Sequence, residues 1–350
     1  MTAPGQPLSA EVVTEVTYDG KPYTCEADET VLDALLRHGI EIPYSCRKGT
    51  CLTCLVKATA GDVPSEAREN LKQTLTEQGY FLACQCRPRG ALAITGAEDA
   101  AIYGRATVQR VDKVAPTVCR VTLRPSTPLY YRAGQFINLR RPDGLVRSYS
   151  LASVPRLDID LEIHVKSMPR GQMSNWIYDE LKPGDGLDLQ GPNGDCFYVP
   201  GTPEQDMLLI GTGTGLAPLL GIIRDALAAG HKGGVHLYHG SREADGLYMV
   251  GDVRDIAAEH GNFHYVPCVS GDEVPDGCRP GRADALALAD HPDLAGWRVF
   301  VCGHPAMVNA TKKAAFLAGA GLEQIHADPF DFQELRLAPR GGGEDRLDVW

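Results

Sequence analysis

The sequence predicts a multidomain chain of α+β and α/β class. A small β-grasp domain is expected over residues 8–99, an antiparallel β-barrel over 100–200 and a doubly wound α/β domain over 201–332, with a short tail at 333–350. Three observations predict this. A chain of 350 residues holds two or three domains at roughly 100–200 residues each. Its middle third is cut into short strand-like runs by Pro, Gly and Asp, the texture of an antiparallel barrel. Its last third alternates apolar strand runs with helical stretches, the texture of a doubly wound sheet.

The N-terminal domain comes first. Residues 12–18 alternate and end at Asp19-Gly20, a hairpin turn pair, with a second strand at 23–25. Val31, Leu32, Leu35 and Leu36 then give a helical apolar stripe, which Gly39 stops. Cysteine-containing loops follow. Two strands, a helix and a long loop fit a compact β-grasp.

In the barrel region, strand-like runs at 106–111, 118–123, 136–139, 159–165 and 186–189 alternate with turns. One short helix is expected at 173–181, and Gly191-Pro192-Asn193-Gly194 reads as a tight turn. An apolar strand at 207–210 then runs into glycines and a helix at 216–229. Buried strands at 235–238, 263–266 and 299–302 alternate with helices at 250–259 and 305–318. Beyond Phe332 the tail is polar, with Gly341-Gly342-Gly343, and is expected to be loosely held.

Composition narrows the function. Hydrophobic residues at 43% and charged residues at 23% suit a soluble globular protein. A net charge of −11 leaves no basic surplus to neutralise nucleic-acid phosphates or to dock on an anionic membrane. The first residues, MTAPGQPLSAEVV, lack a basic and then apolar signal, so a cytoplasmic chain is expected.

Eleven cysteines without a secretory signal favour metal ligation over disulfides. Cys46, Cys51 and Cys54 have the spacing C-x4-C-x2-C, and 29 residues separate Cys54 from Cys84. Thiolates are soft anionic ligands suited to iron. The small, glycine-containing loop between Cys46 and Cys51 can wrap a cluster and aim backbone N–H groups at its sulfurs. A zinc site would more usually pair two short C-x2-C knuckles, and only one is present. Cys86 competes for the fourth position, where spacing favours Cys84. Cys25, Cys119, Cys196, Cys268 and Cys278 read as ordinary core or surface residues.

Pro43-Tyr44-Ser45-Cys46 through Cys54, with Leu82-Ala83-Cys84-Gln85, resembles the cluster loop of plant-type ferredoxins. The resemblance covers residues 8 to about 95. It implies a [2Fe–2S] cluster on Cys46, Cys51, Cys54 and Cys84.

Further along, Arg147-Ser148-Tyr149-Ser150 ends a barrel strand. A guanidinium can bind a pyrophosphate, a tyrosine can pack on a flavin, and a hydroxyl can bond its reactive edge. Alone, the four residues also fit a strand end with an exposed arginine. Gly171-Gln172-Met173-Ser174 opens a helix whose N–H groups can cradle a diphosphate. In this order, the motifs resemble the flavin barrel of the ferredoxin–NADP reductase superfamily. That resemblance implies FAD rather than FMN, bound through Arg147, Ser148, Tyr149, Ser150, His164, Lys166, Gly171, Gln172, Met173 and Ser174. Ser150 orients the hydride-accepting edge in that family. Lys166 also reads as a solvated strand lysine. The ten histidines show no metal-ligand spacing.

Gly211-Thr212-Gly213-Thr214-Gly215 follows an apolar strand and opens a helix, but Leu216 stands where a G-x-G-x-x-G fingerprint needs glycine. The run does match the nicotinamide lobe of the same superfamily, as do Leu216-Ala217-Pro218 and Cys302-Gly303-His304-Pro305-Ala306-Met307. The resemblance places Cys302, Gly303, Pro305 and Met307 by the nicotinamide and Phe330 on the flavin. Phe332 can substitute for Phe330, and a core cysteine or an apolar tail anchor are the plainer readings. Arg242 can grip a 2′-phosphate, yet Gly240-Ser241-Arg242 followed by Leu247-Tyr248 resembles reductases that use NADH.

The chain to about Phe332 therefore resembles the reductase components of bacterial aromatic-ring dioxygenases and of multicomponent di-iron or cytochrome P450 monooxygenases. The resemblance implies electron flow from NADH to FAD, to [2Fe–2S], and on to an oxygenase docking near the exposed loop at 47–50. A deoxysugar-nucleotide dehydratase is a competing acceptor. A metal-binding sensor without turnover is a third reading, against which the intact flavin and nicotinamide motifs argue.

Overall fold

The computed structural model describes residues 13–97 and 102–330. The chain forms two compact units, Met1–Ile102 and Tyr103–Trp350. Phe332 and the glycine-rich tail lie outside the described residues.

The first unit is a five-stranded sheet in the order β2-β1-β5-β3-β4. Its strands are β1 (Thr14–Tyr18), β2 (Lys21–Cys25), β3 (Leu55–Ala60), β4 (Tyr80–Leu82) and β5 (Leu92–Gly96). Only the β1–β2 hairpin was expected. The other three strands escape pattern reading because β4 has three residues and β3 runs from buried to exposed without alternating. Asp19 and Gly20 turn the hairpin with φ of 47° and 81°, the left-handed pair that a two-residue loop demands. The helix Val31–Arg37 is capped by Thr30, whose hydroxyl oxygen accepts from the Asp33 N–H at 3.1 Å. Val31, Leu32, Ala34 and Leu35 bury its inner face against a core that includes Val16 and Phe81. The cysteine loop runs between this helix and β3, and Cys84 follows β4.

The second unit begins with a six-stranded antiparallel sheet in the order β10-β7-β6-β11-β8-β9. Its strands are β6 (Gly104–Ala115), β7 (Val118–Pro125), β8 (Phe136–Arg140), β9 (Val146–Ser150), β10 (Leu161–Lys166) and β11 (Gly186–Asn193). A bridge from Leu151 to Ile163 joins the two edges, and the Ala152 N–H donates to the Glu162 carbonyl at 2.8 Å. The expected barrel closes at this seam. The run from Gly191 to Gly194 is not the tight turn expected. It forms an irregularity at the end of β11, where the register against β8 shifts between Gln190 and Asn193. Gly194 takes φ 86°, and a Cβ there would meet the Phe136 ring at 2.9 Å. The bend lets β11 turn over β8 without opening the core.

A parallel sheet follows in the order β15-β14-β13-β12-β16-β17. It comprises β12 (Met207–Thr212), β13 (Val235–Ser241), β14 (Phe263–Val269), β15 (Arg279–Pro280), β16 (Arg298–Gly303) and β17 (Ile325–Pro329). The helix Leu216–Ala228 is buried around most of its circumference. The helix Ala283–Asp290 and strand β17 were not anticipated. The first is alanine-rich with little apolar contrast, and every residue of the second is half-exposed.

Three imidazoles meet on this sheet. His236 stacks on His264 at 4.7 Å between ring centroids and packs on His291 at 4.6 Å. Burial, reinforced by the two neighbouring rings, pushes His236 down to about 4, against some opposition from Asp206. An unfolded histidine titrates near ~6.5. The unfolded chain thus binds more protons here, and stability is lost as pH falls from about 6.5 towards 4. Melting temperatures measured from neutral pH to pH ~4.5 should fall more steeply for the native chain than for His236→Gln. Equal slopes would refute this account.

Candidate functional site

The four expected thiols fall into two pairs. Cys46 and Cys51 lie at the two ends of one loop. The Cys46 N–H donates to Cys51 Sγ at 3.4 Å, and the Cys51 N–H donates to Cys46 Sγ at 3.4 Å. The Lys48 N–H and the Thr50 hydroxyl also reach Cys46 Sγ, at 3.3 and 3.4 Å. Arg47, Gly49 and Leu52 take φ of 56°, 78° and 59°, and these left-handed residues curl the loop so that its amides face inward. The other pair is Cys54 with Cys84, whose side chains hydrogen-bond. Gln85 fastens Cys84 to the loop, its Nε2 donating to Cys84 Sγ at 3.3 Å and to the Arg47 carbonyl at 3.2 Å. The hydrogen bond from Cys51, with help from Thr50 and the loop amides, pulls the Cys46 thiol down to about 4.

This donor set fits a binuclear iron–sulfur cluster, in which each iron takes two thiolates beside the bridging sulfides. The amides aimed at sulfur are what such a cluster needs to balance its charge. Among the described residues, no three Cys, His, Asp or Glu side chains form a single-ion group. Cys86 is fully buried in the hydrophobic core, and burial pushes its thiol up to about 12.

On the barrel, β9 carries Arg147, Ser148, Tyr149 and Ser150. Arg147 Nη1 donates to the Val146 carbonyl at 2.8 Å, and Tyr149 packs half-buried against the barrel core. Ser148 donates to Asn138 Oδ1 at 2.6 Å. Asn138 in turn donates to Gln190. Gly171 caps the helix Gln172–Asp179 with no side-chain acceptor on the first-turn amides. Those amides have no partner within the helix and suit an anion. A Cβ on Gly171 would meet Ser174 Oγ at 2.2 Å and the Met168 carbonyl oxygen at 3.1 Å, so a side chain there would force the turn to shift. Met168 N–H donates to Ser174 Oγ at 3.3 Å, Arg141 holds the Gln172 carbonyl at 3.0 Å, and Met173 is buried. Lys166 ends β10 half-buried, its ammonium pushed down by burial. An anionic cofactor phosphate fits these groups.

His164, expected among the cofactor contacts, turns its ring inward from β10. Its side chain is 0% exposed, and both ring nitrogens already have protein partners, Tyr248 and Glu162.

Gly211, Thr212, Gly213, Thr214 and Gly215 carry β12 into its helix. A Cβ on Gly215 would meet the Cys302 carbonyl oxygen at 2.3 Å. Gly303, at φ 123°, would meet Thr212 Oγ1 at 2.5 Å. The two strand ends thus interlock only because both positions lack a side chain. The His304 N–H donates to Thr212 Oγ1 at 3.3 Å, Pro305 begins the following helix, and Met307 is buried. Phe330 N–H donates to the Gly303 carbonyl at 2.7 Å, which brings the aromatic to the same end of the sheet. Cys302 is fully buried and lies 3.8 Å, sulfur to sulfur, from Cys196. Burial raises its thiol well above the ordinary range.

The fold also supplies a residue that sequence reading passed over. Ser150 Oγ donates to Asp328 Oδ2 at 2.5 Å. Asp328 sits opposite Cys302 across β16 and β17. Burial pushes its carboxyl up to about 6, with repulsion from Asp195 added and the serine hydrogen bond opposing. Ser150, Asp328 and the Cys302-Gly303 strand end therefore meet at one place. The signal available in the sequence was only that Asp328 directly precedes Pro329-Phe330 in the expected aromatic motif.

A barrel with an anion cradle, a parallel sheet with a glycine-built mouth and a four-thiol loop define a flavin- and nicotinamide-dependent iron–sulfur oxidoreductase. Residues 16–89 match the 2Fe-2S iron-sulfur cluster binding domain, 106–198 the oxidoreductase FAD-binding domain and 209–313 the oxidoreductase NAD-binding domain. The reductase subunit of an aromatic O-demethylase from Amycolatopsis sp. is 39% identical over 331 residues, covering 90% of this chain and 98% of the relative. The ferredoxin–NAD(P)+ reductase component of the naphthalene 1,2-dioxygenase/salicylate 5-hydroxylase systems of Ralstonia sp. is 32% identical, covering 87% and 94%. The crystal structure of an Amycolatopsis cytochrome P450 reductase superimposes with a TM-score of 0.65 at 37% identity, covering 91% and 98%. The chain belongs to the ferredoxin–NAD(P)+ reductase family, in the branch that carries a [2Fe–2S] domain with FAD- and NAD-binding domains and includes the reductase components of oxygenase systems. Among the described residues, no helix is long and apolar enough to cross a membrane.

Proposed function

We propose that this chain is an NADH-dependent reductase that delivers single electrons to an oxygenase. The observation that carries the reading is the meeting of Ser150, Asp328 and the Cys302-Gly303 strand end at the mouth of the parallel sheet. Bound FAD supplies the conversion of a hydride into two single electrons. Within the chain, Arg147, Lys166 and the amides of Gly171 to Ser174 hold its phosphates, and Tyr149 supports the cofactor. Ser150 lines the hydride-accepting edge with its hydroxyl oxygen, its one proton being donated to Asp328. Cys302 and Phe330 border the nicotinamide position. Cys46, Cys51, Cys54 and Cys84 ligate the cluster, and the loop at 47–50 is the docking region for the acceptor. This reading puts the chain in the cytoplasm, where thiolates stay reduced.

Preference for NADH is supported by Arg242, which pairs with Glu243 at 3.5 Å. The carboxylate competes for the guanidinium that a 2′-phosphate would need, and repels the phosphate itself. Arg242→Ala should leave the KM for NADH within about twofold, because an exposed pair contributes little. Glu243→Gln should lower the KM for NADPH several-fold, at ~1 kcal/mol. Steady-state cytochrome c reduction with each nucleotide checks both. A native chain that prefers NADPH would overturn the assignment. The acceptor class is tested by reconstituting the chain with an oxygenase and with a deoxysugar-nucleotide dehydratase. Turnover confined to the dehydratase would reject the oxygenase reading.

A further inference from the structure

Three buried polar side chains, His164, Tyr248 and His239, with the half-buried Glu162, form a bridge from the barrel to the loop that opens the nicotinamide lobe. On β10, His164 Nε2 lies 3.1 Å from Glu162 Oε1, and His164 Nδ1 lies 2.8 Å from the Tyr248 hydroxyl. Tyr248 meets the His239 ring edge-on, with centroids 5.8 Å apart and planes at 88°. His239, on β13, points Nε2 at the Gly213 carbonyl at 3.2 Å and Nδ1 at the Tyr265 hydroxyl at 3.3 Å. His164, His239 and Tyr248 are 4%, 0% and 2% exposed.

The partners fix the protons. A carbonyl only accepts, so His239 carries its proton on Nε2 and accepts from Tyr265 at Nδ1. His164 Nε2 donates to the Glu162 carboxylate, and its Nδ1 shares a hydrogen bond with the Tyr248 hydroxyl. Burial pushes His239 down to about 4, so it stays a neutral, single-tautomer donor. Every ring nitrogen in the bridge has a partner, so it holds one geometry rather than several.

Gly213 is where that geometry matters. It takes φ 52° in the middle of the glycine run, and nothing lies within 4 Å of where its Cβ would be. The residue is therefore open on one side and held from behind by His239.

We propose that His239 is a positioning residue for the nicotinamide nucleotide, fixing the Gly213 carbonyl and so the course of residues 213–215, with Tyr248, His164 and Glu162 tying that loop to the barrel. The inference rests on the reading of residues 211–215 as the nucleotide site. Nothing in the bridge touches the reacting atoms. Its effect should fall on nucleotide affinity, not on the hydride step.

The test is anaerobic stopped-flow reduction of the FAD-loaded full chain over a range of NADH concentrations. His239→Leu leaves the Gly213 carbonyl without its donor and should raise the apparent Kd for NADH about tenfold, with the limiting rate changed less than about twofold. His239→Gln can present an N–H near the same place and should stay within about threefold of the native Kd. Tyr248→Phe keeps the ring, removes the hydroxyl and should raise Kd about threefold. It keeps the proposal testable if the leucine variant does not fold. A merely structural role would track melting temperature and would not separate Gln from Leu. An unchanged Kd in His239→Leu and Tyr248→Phe, or equal impairment in Gln and Leu, overturns the proposal. Thr214→Trp crowds the loop itself. If it abolishes NADH binding while the His239 and Tyr248 variants are silent, only the positioning inference fails. If Thr214→Trp binds NADH normally, the nucleotide-site reading fails with it.

Discussion

Cys84→Ser should reduce electron delivery to a one-electron protein acceptor by at least about a hundredfold, while NADH-driven reduction of a dye that draws electrons from FAD stays near the native rate. Hydroxyl oxygen is a harder, less easily ionised donor than thiolate, and the Cys54–Cys84 pair would lose one of its two thiols. The visible and electron paramagnetic resonance signals of the cluster should be lost or altered in parallel. Cys86→Ser provides the contrast. Cys86 sits in the apolar core, so its replacement should cost stability, at about 1–3 kcal/mol for a poorly satisfied buried hydroxyl, and leave the cluster spectrum intact. If Cys86→Ser bleaches the cluster and Cys84→Ser does not, the fourth ligand is Cys86.

Asp328→Asn should slow NADH-driven flavin reduction by about 10²-fold at pH 7.5, since a preorganised group beside the reacting edge typically contributes that much. The carboxyl titrates at about 6, so the carboxylate that best accepts the Ser150 proton's hydrogen bond is present above that pH. The native rate should accordingly rise through pH ~6 to a plateau, and Asp328→Asn should flatten that step. Stability should move the opposite way. A carboxyl raised above its unfolded value of ~3.9 favours the native state most at low pH, and that contribution disappears as pH rises through about 6. Removing the charge should therefore stabilise the chain at neutral pH while impairing it. A variant that is slower, less stable and still pH-dependent near 6 would show that Asp328 only packs.

The division into small domain, barrel and parallel sheet was legible because each texture follows from a repeat of hydrophobicity and from punctuation by glycine and proline. The loop that carries Cys46, Cys51 and Cys54 was legible because their spacing is local. The rest depended on contacts that no local pattern announces. Ser150 and Asp328 are 178 positions apart, and Cys196 and Cys302 are 106 apart. Strand β4 is too short to show a period, and the Gly191 to Gly194 irregularity has a turn's composition inside a strand. His164 sits on the strand that ends at Lys166, and no local pattern announces that its ring nitrogens face Glu162 and Tyr248.

The pairing of the four thiols also bears on how the cluster is put in. Cys46 and Cys51 are joined by a short loop that can prearrange them in an otherwise incomplete fold. Cys54 and Cys84 converge only once β3 and β4 have paired, with Leu55 opposite Leu82. A metal held by Cys54 and Cys84 would cross-link a loop of roughly thirty residues and would remove freedom from the unfolded chain in the manner of a disulfide, at ~3 kcal/mol or somewhat more. Loading should be a two-stage event, with capture at the local pair preceding a locking step that waits on the hairpin.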